Sequence, residues 1–174
     1  MTLLRRVAAF LGERDIAHAV IGAAALAIHG VSRSTLDQDL LAVDRRVLDA
    51  ELWKAFDADG TVKVRRGDAE DPLAGVVRIV QEGERDVDVI VGRHQWQHDI
   101  VARAAPLGNQ PIPVVEPADL VLLKLYAGGS QDRWDIEQLL ALEAGGAIAR
   151  SVDERAAALP LRSRDMWAAL RRRP

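Results

Sequence analysis

Hydrophobic positions recur along this chain with two periods, and the alternation between them divides it into short strands and helices. Between Thr2 and Glu13, the residues Leu3, Leu4, Val7, Ala8, Phe10 and Leu11 fall at helical spacing and predict an amphipathic first helix. Ala17 to Ile21 is an apolar run of strand length. Gly22 then permits a tight turn, and Ala23 to Ile28 reads as a short helix that Gly30 stops. Asp37 to Val43 reads as a strand entering a core. Arg45 to Phe56 has the spacing of another helix, with Val47, Leu48, Leu52, Trp53 and Phe56 on its inner stripe. Thr61 to Arg65 predicts a brief strand, and the charged, turn-rich stretch 66–75 an exposed loop.

Two further runs, Gly75 to Glu82 and Arg85 to Val91, are separated by Gly83-Glu84 and predict a β-hairpin. His94 to Ala104 reads as a helix, Gly108 to Pro113 as a turn-rich connector and Pro113 to Glu116 as a short strand. Pro117 suits the first position of a helix that carries Asp119 in its first turn, turns Leu120, Leu123 and Tyr126 inward and stops at Gly128-Gly129. Asp132 to Leu142 predicts the next helix, Ser151 to Glu154 the capping box of a further one, and Asp165 to Arg172 a short last helix. The fold class expected is α/β (α+β), a short mixed sheet backed by helices. Residues 1–116 form its core and 117–174 a helical C-terminal region packed on that core in a single compact unit.

Composition narrows the picture. A chain of 174 residues with 49% hydrophobic content can bury one ordinary core, and the lack of cysteine excludes disulfides and thiolate metal sites. Arg5-Arg6 precedes an apolar run that ends too soon for a signal peptide, and no run reaches membrane-spanning length. A soluble cytoplasmic protein with no membrane partner is the expectation. The net charge of −3 conceals an asymmetry: residues 150–174 hold 7 Arg against 3 acids, or +4, which leaves 16 basic against 23 acidic residues, or −7, upstream. An acidic body with a basic end does not fit a general nucleic-acid coat. The Arg171-Arg172-Arg173 end is either solvated or meets a phosphate backbone or an acidic partner protein.

The candidate chemistry begins at Asp37 and Asp39, which the period of a strand places on one face. Adjacent carboxylates repel one another unless a cation lies between them, and Mg²⁺ takes such carboxylates together with nucleotide phosphate oxygens. Gly22 and Ala23 open a helix whose first N–H groups are free to meet an anion. Asp86 and Asp88 share a face of their strand and supply a further carboxylate if the strands are neighbours; otherwise both face solvent. Arg33 either clamps a phosphate with its forked donors or is a surface residue. Lys124 interrupts an apolar helix face and needs a partner, which Asp132 or Asp135 can provide across two helices. His29 reads as a packing or capping residue. His94, Trp96 and His98 lack the second ligand pair that zinc requires, so no zinc is expected there.

The apolar-Gly22-Ala23 turn, thirteen intervening residues and Asp37-x-Asp39 resemble the signature of the nucleotidyltransferase superfamily with the DNA polymerase beta-like fold. Finer features are similar to small bacterial AbiEii-like nucleotidyltransferases, many of them toxin–antitoxin components. These are Ala25 to Gly30, the alternating Arg33, Thr35, Asp37 and Asp39, and Asp119 to Gly128 followed by Asp132 and Asp135. The likeness spans roughly residues 17 to 142. It implies a Mg²⁺-dependent transfer of a nucleoside monophosphate from a nucleoside triphosphate to an acceptor hydroxyl on RNA such as tRNA, on a protein or on a small molecule. It further implies that Asp37, Asp39 and Asp88 hold metal, with Asp88 favoured over Asp86 because an apolar run follows it. Gly22, Ala23, Arg33 and Lys124 would contact the nucleotide. The family usually has Gly-Gly or Gly-Ser where this chain has Gly22-Ala23. That departure leaves open a catalytically silent nucleotide-binding protein acting on a toxin or antitoxin partner, and an antibiotic adenylyltransferase is a third reading.

Overall fold

The computed structural model describes residues 1–32, 37–142 and 146–172. Contacts divide the chain into two units, one of residues 1–25 and 33–115, the other of residues 26–32 and 116–174. Among the described residues, the first unit carries every strand. In chain order it contains α1 (Leu3–Gly12), β1 (His18–Ile21), the start of α2 (Gly22–Ile28), β2 (Gln38–Ala42), α3 (Lys54–Asp57), β3 (Thr61–Arg66), β4 (Gly75–Val80), β5 (Val87–Val91), α4 (Gln95–Arg103), β6 (Ala105–Leu107) and β7 (Gln110–Val114).

The strands form one mixed sheet in the order β3-β4-β5-β2-β1-β7-β6. β1 runs antiparallel to β2, β2 parallel to β5, and β5 antiparallel to β4, so the middle of the sheet joins residues from three distant parts of the chain. Alternation sets the faces. Val87, Val89 and Val91 of β5 and Val77 and Ile79 of β4 are buried, while Asp88 and Arg78 occupy the opposite, half-exposed face. Toward its end β2 is buried on both faces at Leu40, Leu41 and Ala42, so only its first residues emerge. Leu3, Leu4, Val7, Ala8 and Leu11 give α1 a continuous buried stripe. Beside it, Phe10 packs on Trp53 and Phe56 with ring centroids 5.4 and 5.2 Å away.

Most of the predicted elements of this unit are present within a residue or two, and two are corrected. Residues 45–56 form no continuous helix: two 3₁₀ turns, Arg45–Leu48 and Ala50–Trp53, precede the single turn of α3. The Asp44 carboxylate accepts the N–H of Arg46 and that of Asp49 accepts the N–H of Glu51, so each aspartate restarts the chain where a long helix would have run on. The apolar spacing still does its work, since Val47, Leu48, Trp53 and Phe56 are buried. The supposed connector over 108–113 is instead a hairpin of β6 and β7 turning at Gly108, whose φ is +58°. Pro111 and Pro113 disguise β7 as a loop. They are tolerated because β7 is sparsely paired, meeting β1 at Val20↔Val114 and β6 at only two positions.

The second unit is helical: the end of α2, then α5 (Pro117–Ala127), α6 (Ser130–Ala141), α7 (Ala147–Arg155), a 3₁₀ turn at Ala156–Ala158 and α8 (Leu161–Arg171). Gly30 and Gly128 end α2 and α5 at positive φ, as expected of them. The inner side of α5 is broader than predicted, with Ala118, Val121, Leu122 and Leu125 joining Leu120 and Tyr126, and Leu123 only half-buried. α7 corrects a third expectation. It starts at Ala147 after Gly146, so Ser151 to Glu154 lie inside the helix and are no capping box. The favourable helix formers upstream simply extend it by a turn. No helix among the described residues is long and apolar enough to cross a membrane.

Candidate active site

Asp39 and Asp88 are direct partners in the parallel pairing of β2 with β5. On either side of them the same row continues, to Arg78 of β4 opposite Asp88 and to Ile21 of β1 opposite Asp39. One line across four strands therefore reads Arg78, Asp88, Asp39 and Ile21, with Gly22 next in the chain. The face is shared because residues paired in register project to the same side of a sheet.

Gly22 belongs to this row for a steric reason. A Cβ placed on it would overlap Asp39 Oδ2 and lie 2.9 Å from Asp39 Cγ, and its φ of +61° is one that side chains disfavour. The glycine bend therefore lies directly against an Asp carboxylate, and α2 begins there. Its first N–H groups, those of Gly22 and Ala23 included, have no acceptor within their own helix.

Arg78 dominates the electrostatics of the row. Its Nε donates to Asp88 Oδ1 at 2.8 Å and one terminal nitrogen to Asp88 Oδ2 at 2.7 Å, a two-point fork. The same terminal nitrogen reaches Asp37 Oδ2 at 3.2 Å. Asp88 above all, by hydrogen bond and charge, with Asp37 and Asp86 adding their charges, holds the guanidinium above its ordinary range. Asp37 and Asp88 are thus brought to one cation. Asp86 is not among the hydrogen-bonded partners of Arg78, whereas Asp88 is, and the sheet pairs Asp88 with Asp39.

No group of three or more His, Cys, Asp or Glu among the described residues has the arrangement of a metal-holding cluster. Asp37 and Asp88 converge on Arg78 instead. Asp39 and Asp88, paired across β2 and β5 beside a bend with no room for a Cβ, are carboxylates, the hard oxygen donors that Mg²⁺ takes. Arg33 lies outside the described residues.

Lys124 belongs to the helical unit. Its ammonium stands 2.8 Å from Asp132 Oδ1 and 2.7 Å from Asp135 Oδ2, and Asp135 is fully buried. Burial pulls its pKa down, but the two carboxylates outweigh that and hold it above the usual lysine range. Asp132 also accepts the N–H of Gly129, which caps α6. A second buried cluster joins Arg155 to Asp119 at 3.0 Å and to Glu116, fastening α7 to the start of α5.

Sequence reasoning missed both arginines. For Arg78 the available signal is a cation in the middle of the apolar run Val76 to Val80, inside a predicted hairpin whose other strand carries Asp86 and Asp88. For Arg155 no spacing in the sequence links it to Asp119, thirty-six residues earlier.

No protein-family model matches this sequence, and no curated protein matches it. Solved structures do resemble it. The antibiotic-resistance factor ANT(2'')-Ia in solution is 16% identical, with 97% of this chain and 93% of that chain covered at a TM-score of 0.56. A Thermotoga maritima protein assigned as a nucleotidyltransferase is 18% identical over 81% of this chain and 92% of that one, at 0.55. ANT(2'')-Ia in complex with adenylyl-2''-tobramycin is 16% identical over 94% and 97%, at 0.55. Together with the seven-stranded mixed sheet and the carboxylate row, these likenesses show that the chain has the fold of nucleotidyltransferases.

Proposed function

We propose that the protein is a nucleotidyltransferase that moves a nucleoside monophosphate from a nucleoside triphosphate to an acceptor hydroxyl, with Mg²⁺ as cofactor. The observation that supports this best is the row itself: Asp39 opposite Asp88, with the Gly22 bend closed against Asp39. Asp37, Asp39 and Asp88 would hold the ion. When bound, it supplies charge neutralisation to the entering and leaving oxygens of an in-line phosphoryl displacement. Gly22 and Ala23 offer backbone N–H groups to the outer phosphates, and Ala23 keeps the N–H even though it lacks the hydroxyl that serine would bring. The acceptor oxygen bonds to the α-phosphorus while the bond from that phosphorus to the bridging oxygen breaks. Pyrophosphate leaves with that oxygen, and Asp88 either completes the metal site near the acceptor hydroxyl or takes the hydroxyl proton.

Arg33 and Lys124 complete the proposed nucleotide contacts, Arg33 by its fork and Lys124 by its ammonium. The acceptor is proposed from three classes, namely RNA ends such as tRNA, proteins and small molecules. A small aminoglycoside-like acceptor is the second reading, supported by the antibiotic-bound neighbour. A silent nucleotide-binding protein that docks on a toxin or antitoxin is the rival, favoured by Ala23 in the turn and by the basic end. Transfer of label from an α-labelled nucleotide into each acceptor class, with and without Mg²⁺, separates them. The enzyme reading expects Mg²⁺-dependent transfer that D39N abolishes. Nucleotide binding without transfer to any acceptor would favour the rival.

A further inference from the structure

Arg78 satisfies carboxylates that the proposed site needs for a metal ion. It binds Asp88 through both oxygens, at 2.8 and 2.7 Å, and Asp37 through one, at 3.2 Å. A guanidinium and a divalent cation compete for the same carboxylate, since an arginine fork occupies one lone pair on each oxygen and sets a positive charge beside them. The contact with Asp37 can open at little cost. The Arg78 side chain is 42% exposed and that of Asp37, just ahead of β2, is 52% exposed, so neither charge must cross a low-dielectric interior to separate.

We propose that Arg78 is a built-in counter-cation of the carboxylate row: it neutralises Asp37 and Asp88 in the free protein and must release at least Asp37 before a divalent ion can bind there. This rests on the reading of Asp37, Asp39 and Asp88 as a metal site, and adds a positioning residue that the reading does not require. Without Arg78 between them, Asp37 and Asp88 would repel one another in the free protein, and Arg78 removes that repulsion while no metal is bound. It also raises the threshold for metal entry. A nucleotide that arrives with its own Mg²⁺ brings phosphates as an alternative partner for the guanidinium, so the release of Arg78 would couple metal binding to nucleotide binding.

The test is direct Mn²⁺ binding to the protein without nucleotide, followed by the electron-spin signal of free Mn²⁺, for the unaltered chain and for R78M, R78K and D39N. R78M keeps the length and apolar stem of the side chain and removes its charge. Removing a positive charge this close to a divalent site is expected to tighten Mn²⁺ by about tenfold or more. R78K, with a point charge in place of the fork, is expected to fall between the two and serves alone if R78M does not fold. D39N is expected to lose binding. Mn²⁺ affinity unchanged or weakened in R78M or R78K, with the unaltered protein binding and D39N not, would overturn the counter-cation role and leave the metal site standing. No Mn²⁺ binding by any of the four at millimolar concentration, or binding that D39N does not disturb, would overturn both.

Discussion

Two places in this molecule hold one cation between two aspartates, and their surroundings separate what each can do. In the sheet, Arg78 bridges Asp37 and Asp88, with side chains 42, 52 and 16% exposed. In the helical unit, Lys124 bridges Asp132 and Asp135, with side chains 17, 14 and 0% exposed. Water screens the Arg78–Asp37 contact of the first trio and makes it exchangeable, while the fork to Asp88 is better shielded. The second trio has been taken out of water, and breaking it strands a charge in a poor solvent. The same chemistry is therefore adjustable in one place and structural in the other.

The contrast can be broken in several ways. D39N leaves the sheet pairing in place and removes one carboxylate charge from the row. We expect it to lower nucleotidyl transfer about a thousandfold or more, with a melting temperature close to that of the unaltered protein. K124M should act first on stability. Leaving Asp135 buried without its partner is expected to cost about 3–5 kcal/mol in urea unfolding. A loss of nucleotide affinity in K124M protein that is still folded would add the phosphate contact to its structural one. G22A forces a Cβ into Asp39 at a φ that alanine resists. It should cost about 1–3 kcal/mol and impair transfer more than that loss alone accounts for.

Alkaline titration sharpens the comparison further. The folded pKa of Lys124 is raised above its ordinary 10.5, so its contribution to stability is complete below that pH and is lost as pH rises through the folded value. Unfolding free energy measured from pH 9 upward should therefore fall above about 10.5, and K124M should lack that component. R78M is expected to have the smallest effect on stability. Its pair with Asp37 is exposed and contributes less than about 1 kcal/mol, and only the fork to Asp88 adds to that, so urea unfolding of R78M should shift far less than that of K124M.

How much of this was legible in the sequence depends on whether a feature is set locally. The strand that follows Asp37 is set by period two alone, although it begins at Gln38 and leaves Asp37 just ahead of it. The same period placed Asp86 and Asp88 together, and the tie between Lys124 and the Asp132–Asp135 pair followed from the cost of burying an ammonium. What period two cannot supply is which strand lies beside which. The pairing of Asp39 with Asp88, and of Asp88 with Arg78, depends on β5 running parallel to β2 and antiparallel to β4. Residues 45–56 misled because apolar spacing reports burial and not hydrogen bonding, and two aspartates there capture their own backbone. Ser151 misled for a related reason: a capping pattern is short enough to recur inside a helix.

The most direct measurement is a crystal structure of the unaltered protein soaked with Mn²⁺ and a non-hydrolysable nucleoside triphosphate, with the ion located by its anomalous signal. If the carboxylate row is the catalytic site, the ion lies among Asp37, Asp39 and Asp88 and the triphosphate runs over the Gly22 bend. Ion and phosphates bound together away from that row, with Arg78 still closed on Asp37 and Asp88, would contradict it.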